Sequence, residues 1–180
     1  VTGMTLGGDT MTMAREDVSL VDDFRTESWY ITASSTGNYP MVATLAGTNS
    51  NIAMAAMSFN GAAQSGVLDQ VNGIAPGAGD PRITLTGIAE GAIIVDCVVL
   101  NDAADITAAA NQTARMNLVL TGVTRSALSS SAFATTTNQI TMEWSDGDVS
   151  DNNYLVSVAS FMADGAPITE VFTTPGFNTW

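Results

Sequence analysis

The chain has 180 residues, enough for one domain of ordinary size, and sets 18 acidic side chains against 5 basic ones, all arginine, for a formal net charge of −13. Hydrophobic residues reach 46% and charged ones only 13%, too apolar for a disordered acidic segment and ample for a core. With no His, no Lys and Cys97 alone, His-based acid–base or nucleophilic sites, Lys chemistry, an internal disulfide and a thiolate zinc site are excluded, and five dispersed arginines do not suit a polyanion such as nucleic acid.

The opening Val1-Thr2-Gly3-Met4 has neither an initiator Met nor a signal-peptide pattern, which fits a processed start or a longer parent chain. Gly7-Gly8-Asp9 is a first turn signal. Trp29-Tyr30-Ile31-Thr32 and Tyr39 to Leu45 read as strands around the turn formers Ser34 to Asn38. Asn51 to Phe59 alternates less cleanly, with Ile52, Met54 and Met57 among alanines. Breaks are expected at Gly47 to Asn51 and Pro76 to Pro81. Ile83-Thr84-Leu85-Thr86 alternates apolar and polar residues, the period of a half-buried strand.

Ala92 to Leu100 is a β-branched run interrupted by Asp96, expected as a central strand covered on both faces. No run nears the ~20 apolar residues of a membrane helix, so no membrane partner is expected. Ala103 to Ala114 is the one helix candidate, but it lacks an apolar stripe at 3.6 spacing and reads as a loop with one helical turn. Gln139 to Trp144 and Tyr154 to Phe161 are two more alternating strands, separated by Asp146-Gly147-Asp148. After Asp164-Gly165 and Ala166-Pro167, Ile168 to Thr173 reads as a last strand, ending at Pro175-Gly176 and an aromatic terminus, Phe177 to Trp180.

Short strands punctuated by turns predict an all-β fold: an antiparallel β-sandwich, jelly-roll or immunoglobulin-like, of about eight strands. Residues 1–165 form the sandwich and 166–180 a C-terminal strand and tail. That tail either folds back into its own sandwich or pairs with a neighbouring subunit, in which case Ile168, Val171, Phe172, Phe177 and Trp180 are the assembly contacts.

A family pattern accompanies this grammar. Ser28-Trp29-Tyr30-Ile31, Ala56 to Gln64, Ala92 to Val98, Asn111-Gln112-Thr113, Thr141-Met142-Glu143-Trp144 and Asn153 to Val158 follow in that order. Together they resemble a group of uncharacterised β-sandwich domains of phage structural proteins and bacterial surface proteins, over about Val1 to Ala163. Such domains usually open with one or two apolar strands before the turn at which this chain starts, and they end before the Ile168 to Trp180 segment. The resemblance implies a strand position open to the chain's own tail, to a neighbour or to further residues. It implies a surface or virion building block and brings no catalytic residues.

Individual candidates carry competing readings. Asp146, Asp148 and Asp151, followed by Asn152 and Asn153, concentrate oxygen ligands suited to a structural Ca²⁺, but no bidentate Glu stands at position twelve, and a solvated turn is the commoner use of such residues. Asp102 and Asp105 are a weaker pair. No other cofactor is expected. Glu27, Glu90, Glu143 and Glu170 show no spacing of a glycosidase pair, so no enzyme is expected. Trp29, Tyr30, Tyr39, Trp144 and Trp180 would suit glycan stacking, although Trp144 shares a strand face with Ile140 and Met142 and reads as core. Met54, Met57, Met116, Met142 and Met162 read as core filler. Asn111-Gln112-Thr113 matches a glycosylation sequon by chance.

The expected function is structural: a self-associating virion protein of a phage, a head decoration or another repeated particle subunit, on the virion surface, with itself and other structural subunits as partners. The alternatives are an extracellular filament or surface-layer subunit joined by donor-strand pairing, and a carbohydrate-binding module.

Overall fold

The computed structural model describes residues 1–19, 24–47, 52–101, 106–120, 125–134, 138–145, 153–165 and 168–178. Every described regular element is a strand, and none of the described residues is helical. In chain order the strands are β1 (Gly3–Leu6), β2 (Asp9–Thr10), β3 (Thr12–Val18), β4 (Arg25–Tyr30), β5 (Met41–Thr44), β6 (Ile52–Asn60), β7 (Leu68–Ala78) and β8 (Arg82–Thr86). They continue as β9 (Ile93–Leu100), β10 (Thr107–Ala108), β11 (Thr113–Leu120), β12 (Arg125–Phe133), β13 (Gln139–Ser145), β14 (Asn153–Phe161) and β15 (Thr169–Asn178). Where about eight strands are expected, the described residues form fifteen. Each of the eight runs expected as strands overlaps one of these, although Ile31, Thr32, Tyr39, Pro40 and Leu45 fall outside; the other seven strands come from segments not read as strands.

The centre is a five-stranded antiparallel sheet in the order β11-β12-β9-β14-β7. β9 lies in its middle, laddered to β12 and β14, and its Ile93, Ile94, Val98 and Leu100 are nearly inaccessible, as the β-branched run from Ala92 predicts. Successive side chains leave a strand on opposite faces. Ile94, Val98 and Leu100, with Tyr154, Val156 and Val158 of β14, pack on one face against Ile83, Leu85, Met142 and Trp144 of the β10-β13-β8 sheet. Burying each such large side chain contributes about 1.5–3 kcal/mol, so this layer is the main apolar core. Val99 and Leu155 leave by the opposite face and meet Phe24.

That second face is covered more loosely. The β3-β4 pair packs on it, while β2-β1-β5 forms a separate three-stranded sheet and β15-β6 a two-stranded one. β1 and β2 are joined by a two-residue loop in which Gly7 and Gly8 both have positive φ, 61° and 98°, the primed turn that matches strand twist in tight hairpins. Three predictions are corrected here. Pro76, Gly77 and Ala78 belong to β7, which carries them because, among the described residues, it is an edge strand laddered only to β14. The segment expected to hold a helical turn contains the short strand β10 instead. The Ile168 to Thr173 strand extends through Pro175 and Gly176 as far as Asn178.

Candidate functional site

Between the central sheet and the outlying strands lies a space of about 2020 Å³. It is bordered by β1, β4, β5, β6, β9, and parts of β11, β14 and β15. Six of the nine methionines line it: Met4, Met11, Met41, Met54, Met57 and Met116. Met116 is buried, and the other five are only half-buried, as are nearly all residues of β6. Core filler is thus only part of the methionines' role: Met142 sits in the main core, whereas Met54 and Met57 are half-buried and line this space. Flexible, polarisable thioethers suit a surface that must adapt to what fills it.

β4 borders this space with ordered polar chemistry. Glu27, its side chain only 7% exposed, accepts from Trp29 Nε1 at 2.8 Å, from Arg25 Nη1 at 3.3 Å and from the Val1 amino group at 2.5 Å. Arg25 also reaches Glu16 of β3 at 2.8 Å. The ring of Tyr30 tilts against Phe161 of β14 with centroids 5.6 Å apart. Thr26 and Ser157 each keep a buried hydroxyl oxygen with no hydrogen-bond partner among the described residues, an unusual cost at a packed layer. Cys97, partly buried beside them in sequence register with Ser157, has its thiol pushed up to about 12 by enclosure, then by the Asp96 charge; a hydrogen bond from the Glu27 backbone opposes the shift only in part.

On the other face Asp96 is fully buried in mid-β9, and Trp144 Nε1 donates to its Oδ2 at 2.8 Å. Trp144 is 1% exposed, so its expected core position holds and it offers no glycan a platform. Trp29 and Tyr30 are both half-buried, where alternation predicts only one of them inward, and Tyr39 is exposed with its hydroxyl 2.6 Å from Ser35. Asp69 is likewise structural: its Oδ2 accepts from the Ala89 amide and the Ser160 hydroxyl at 2.8 and 3.1 Å. Asn111 donates through its side-chain amide to the Thr141 carbonyl at 3.2 Å.

The expected assembly residues lie on or beside β15. Ile168 is 4% exposed, directly before the strand, whereas Val171 is 58% exposed. β15 ladders antiparallel to β6 of the same chain, from Thr169↔Asn60 to Asn178↔Ile52, with a bulge between Glu170 and Phe172. The backbones of Phe172 and Phe177 are in this ladder; Trp180 lies outside the described residues. Glu170 is ion-paired with Arg115 of β11, whose Nε also donates to Ser131 at 2.9 Å, tying the start of β15 to the central sheet. The calcium candidates Asp146, Asp148 and Asp151, and Asp102 and Asp105, also lie outside the described residues. Among the described residues no group of three or more acidic or Cys side chains is placed to hold a metal ion.

Sequence patterns locate about half of the strands but miss the space itself. Its only trace in the sequence is the abundance of methionine in the weakly alternating half of the chain. No protein-family model, no curated protein and no solved structure matches this chain.

Proposed function

We propose that this chain is a structural, self-associating virion protein of a phage, a head decoration or another repeated subunit of the particle. The observation that carries the proposal is the β6-β15 ribbon beside the methionine-lined space. β6 and β15 ladder only to each other among the described residues, so each keeps an outer edge, and the half-buried apolar residues beneath them leave a surface that a single copy does not close. A two-stranded ribbon is marginal by itself, and more strands or a packed partner stabilise it. The resemblance of the motif order to β-sandwich domains of phage structural and bacterial surface proteins supports the same reading. So does the engagement of the buried Asp96 and the half-buried Glu27 and Asp69 in hydrogen bonds that hold the fold.

Within this proposal the layers belong to an antiparallel sandwich of jelly-roll or immunoglobulin-like type. The packing of the β10-β13-β8 sheet over β9 and β14 supports that, with the outlying strands as elaborations of the second layer. The exposed Val171 and the open edge of β15 favour one second reading, an extracellular filament or surface-layer subunit joined by strand donation. The acidic charge of −13 keeps free copies apart, and assembly has to overcome that repulsion.

The test is mass determination and electron microscopy of the native protein at low and high salt. Regular arrays or a capsid-bound lattice, favoured as salt screens the acidic surfaces, are expected. A monomer at every concentration and ionic strength, including in the presence of purified capsids, would overturn the proposal and direct attention to glycan binding.

A further inference from the structure

β15 is held unevenly along its length. Its start is anchored: Ile168 is buried, and Glu170 is ion-paired with Arg115. Ahead of it the chain is fixed by backbone hydrogen bonds from Ala63 to Met162 and from Asp164 to Gly61, at 2.9 and 2.8 Å. Beyond Glu170 the ladder shifts register at a bulge, and Val171 at that bulge is 58% exposed. From Phe172 to Asn178 the backbone pairs, among the described residues, only with β6, along seven register positions ending at Asn178↔Ile52. The far part of the strand therefore hangs from a pivot, on a ribbon with no laddered neighbour on either side among the described residues.

From this geometry we propose that copies of this chain assemble by exchanging the segment Phe172–Asn178, which pivots at Val171 and pairs with β6 residues Ile52–Ser58 of a second copy in the register it uses within one chain. The inference rests on the subunit reading above and names the contact that joins the subunits. The occupant is a second copy because fit is already present: one chain shows these two segments to be complementary in length, direction and register. Exchange of an identical element keeps every ladder hydrogen bond, so it costs little beyond the association entropy, and other contacts between the copies then add to stability. A bulge is a suitable pivot because it already interrupts the ladder and bends the strand. The two anchors set where exchange stops: Thr169, paired with Asn60, stays at home, while Thr174, paired with Ala56, crosses.

Disulfide trapping reads this directly. Cys97 is a quiet background because its thiol stays protonated near neutral pH. Ala56→Cys and Thr174→Cys are made in separate chains carrying tags of different mass, mixed before assembly, and oxidised under mild conditions. The expected product on a non-reducing gel is a covalent heterodimer with both tags, its share rising with protein concentration. A chain carrying both substitutions should give covalent multimers. The pair Asn60→Cys with Thr169→Cys lies before the pivot and should close only within single chains, which also reports that the variant has folded. If the Ala56→Cys/Thr174→Cys double variant closes only within monomers, and the mixture yields no heterodimer while particles still form, exchange is wrong and the subunit reading stands. If neither particles nor heterodimers form at any concentration, both fall.

Discussion

Replacing Trp144 by Phe tests whether the buried indole–carboxylate bond holds the two main sheets in register. Trp144 is 1% exposed on β13, and Asp96 is fully buried on β9, so their 2.8 Å bond spans the interior. Phe keeps an aromatic ring but removes the N–H donor, and a hydrogen bond to a charged group contributes about 1.5–3 kcal/mol. The smaller ring also vacates about 40 Å³, which at roughly 24 cal/mol per Å³ adds about 1 kcal/mol. Together these give a loss of about 3 kcal/mol. For a chain of this size each kcal/mol lowers Tm by about 2–4 °C, so a fall of about 6–12 °C is expected in far-ultraviolet circular dichroism melts. Denaturant unfolding of Trp144→Phe, Asp96→Ala and the double variant completes a cycle, in which contacting residues should couple by at least about 1 kcal/mol. A loss below about 1 kcal/mol, with the two substitutions additive, would refute the bond's structural weight.

Other consequences are equally concrete. A Cβ at Gly73 would overlap the Asp17 carboxylate, which is paired with Arg15 Nη2 at 2.5 Å. Gly73→Ala should therefore destabilise by about 1–3 kcal/mol, and an Asp17→Ser background should relieve most of that loss in urea titrations. Because the folded state raises the Cys97 thiol from 9.0 to about 12, folding favours the protonated form. Its contribution is intact below pH 9 and lost as pH rises towards 12; Cys97→Ser should flatten this alkaline decline, and an unchanged slope would exclude the thiol as its source. If the Asp146, Asp148 and Asp151 loop holds calcium, millimolar Ca²⁺ should raise Tm in the parent chain and not in Asp148→Asn; no shift in the parent retires the site. A chain ending at Val171 keeps Ile168 and Glu170, and should stay folded by circular dichroism but fail to assemble in light scattering.

The strands readable in advance were those whose burial is one-sided or complete, such as β8, β9, β13 and β14, because water and core impose their pattern on the side chains. β3 escaped notice because Arg15, Glu16 and Asp17 stand in succession. Their charges are settled by Arg15–Asp17 and by Arg25 of β4, contacts that alternation does not encode. β12, with Ser126, Ser129, Ser130 and Ser131, has weak strand propensity of its own and is a strand because β11 and β9 ladder to its two sides. The methionine-lined space was illegible for a related reason. Half-buried positions on short ribbons follow neither the core pattern nor the surface one, and only the three-dimensional arrangement makes Met54 and Met57 of β6 line the same space as Met4 and Met41.

That lining also sets the chemistry by which the protein ages. Peroxide converts a thioether to a sulfoxide, adding a strong dipole to a side chain that was apolar. Met142, enclosed between the main sheets, is shielded from such damage, whereas Met54 and Met57 are half-buried on β6, the strand that faces β15. Oxidation should accordingly spare the melting of the main core, and, on the proposal that copies join through the β6–β15 ribbon, an oxidised stock should lose assembly before it loses its fold, with enzymatic sulfoxide reduction restoring it.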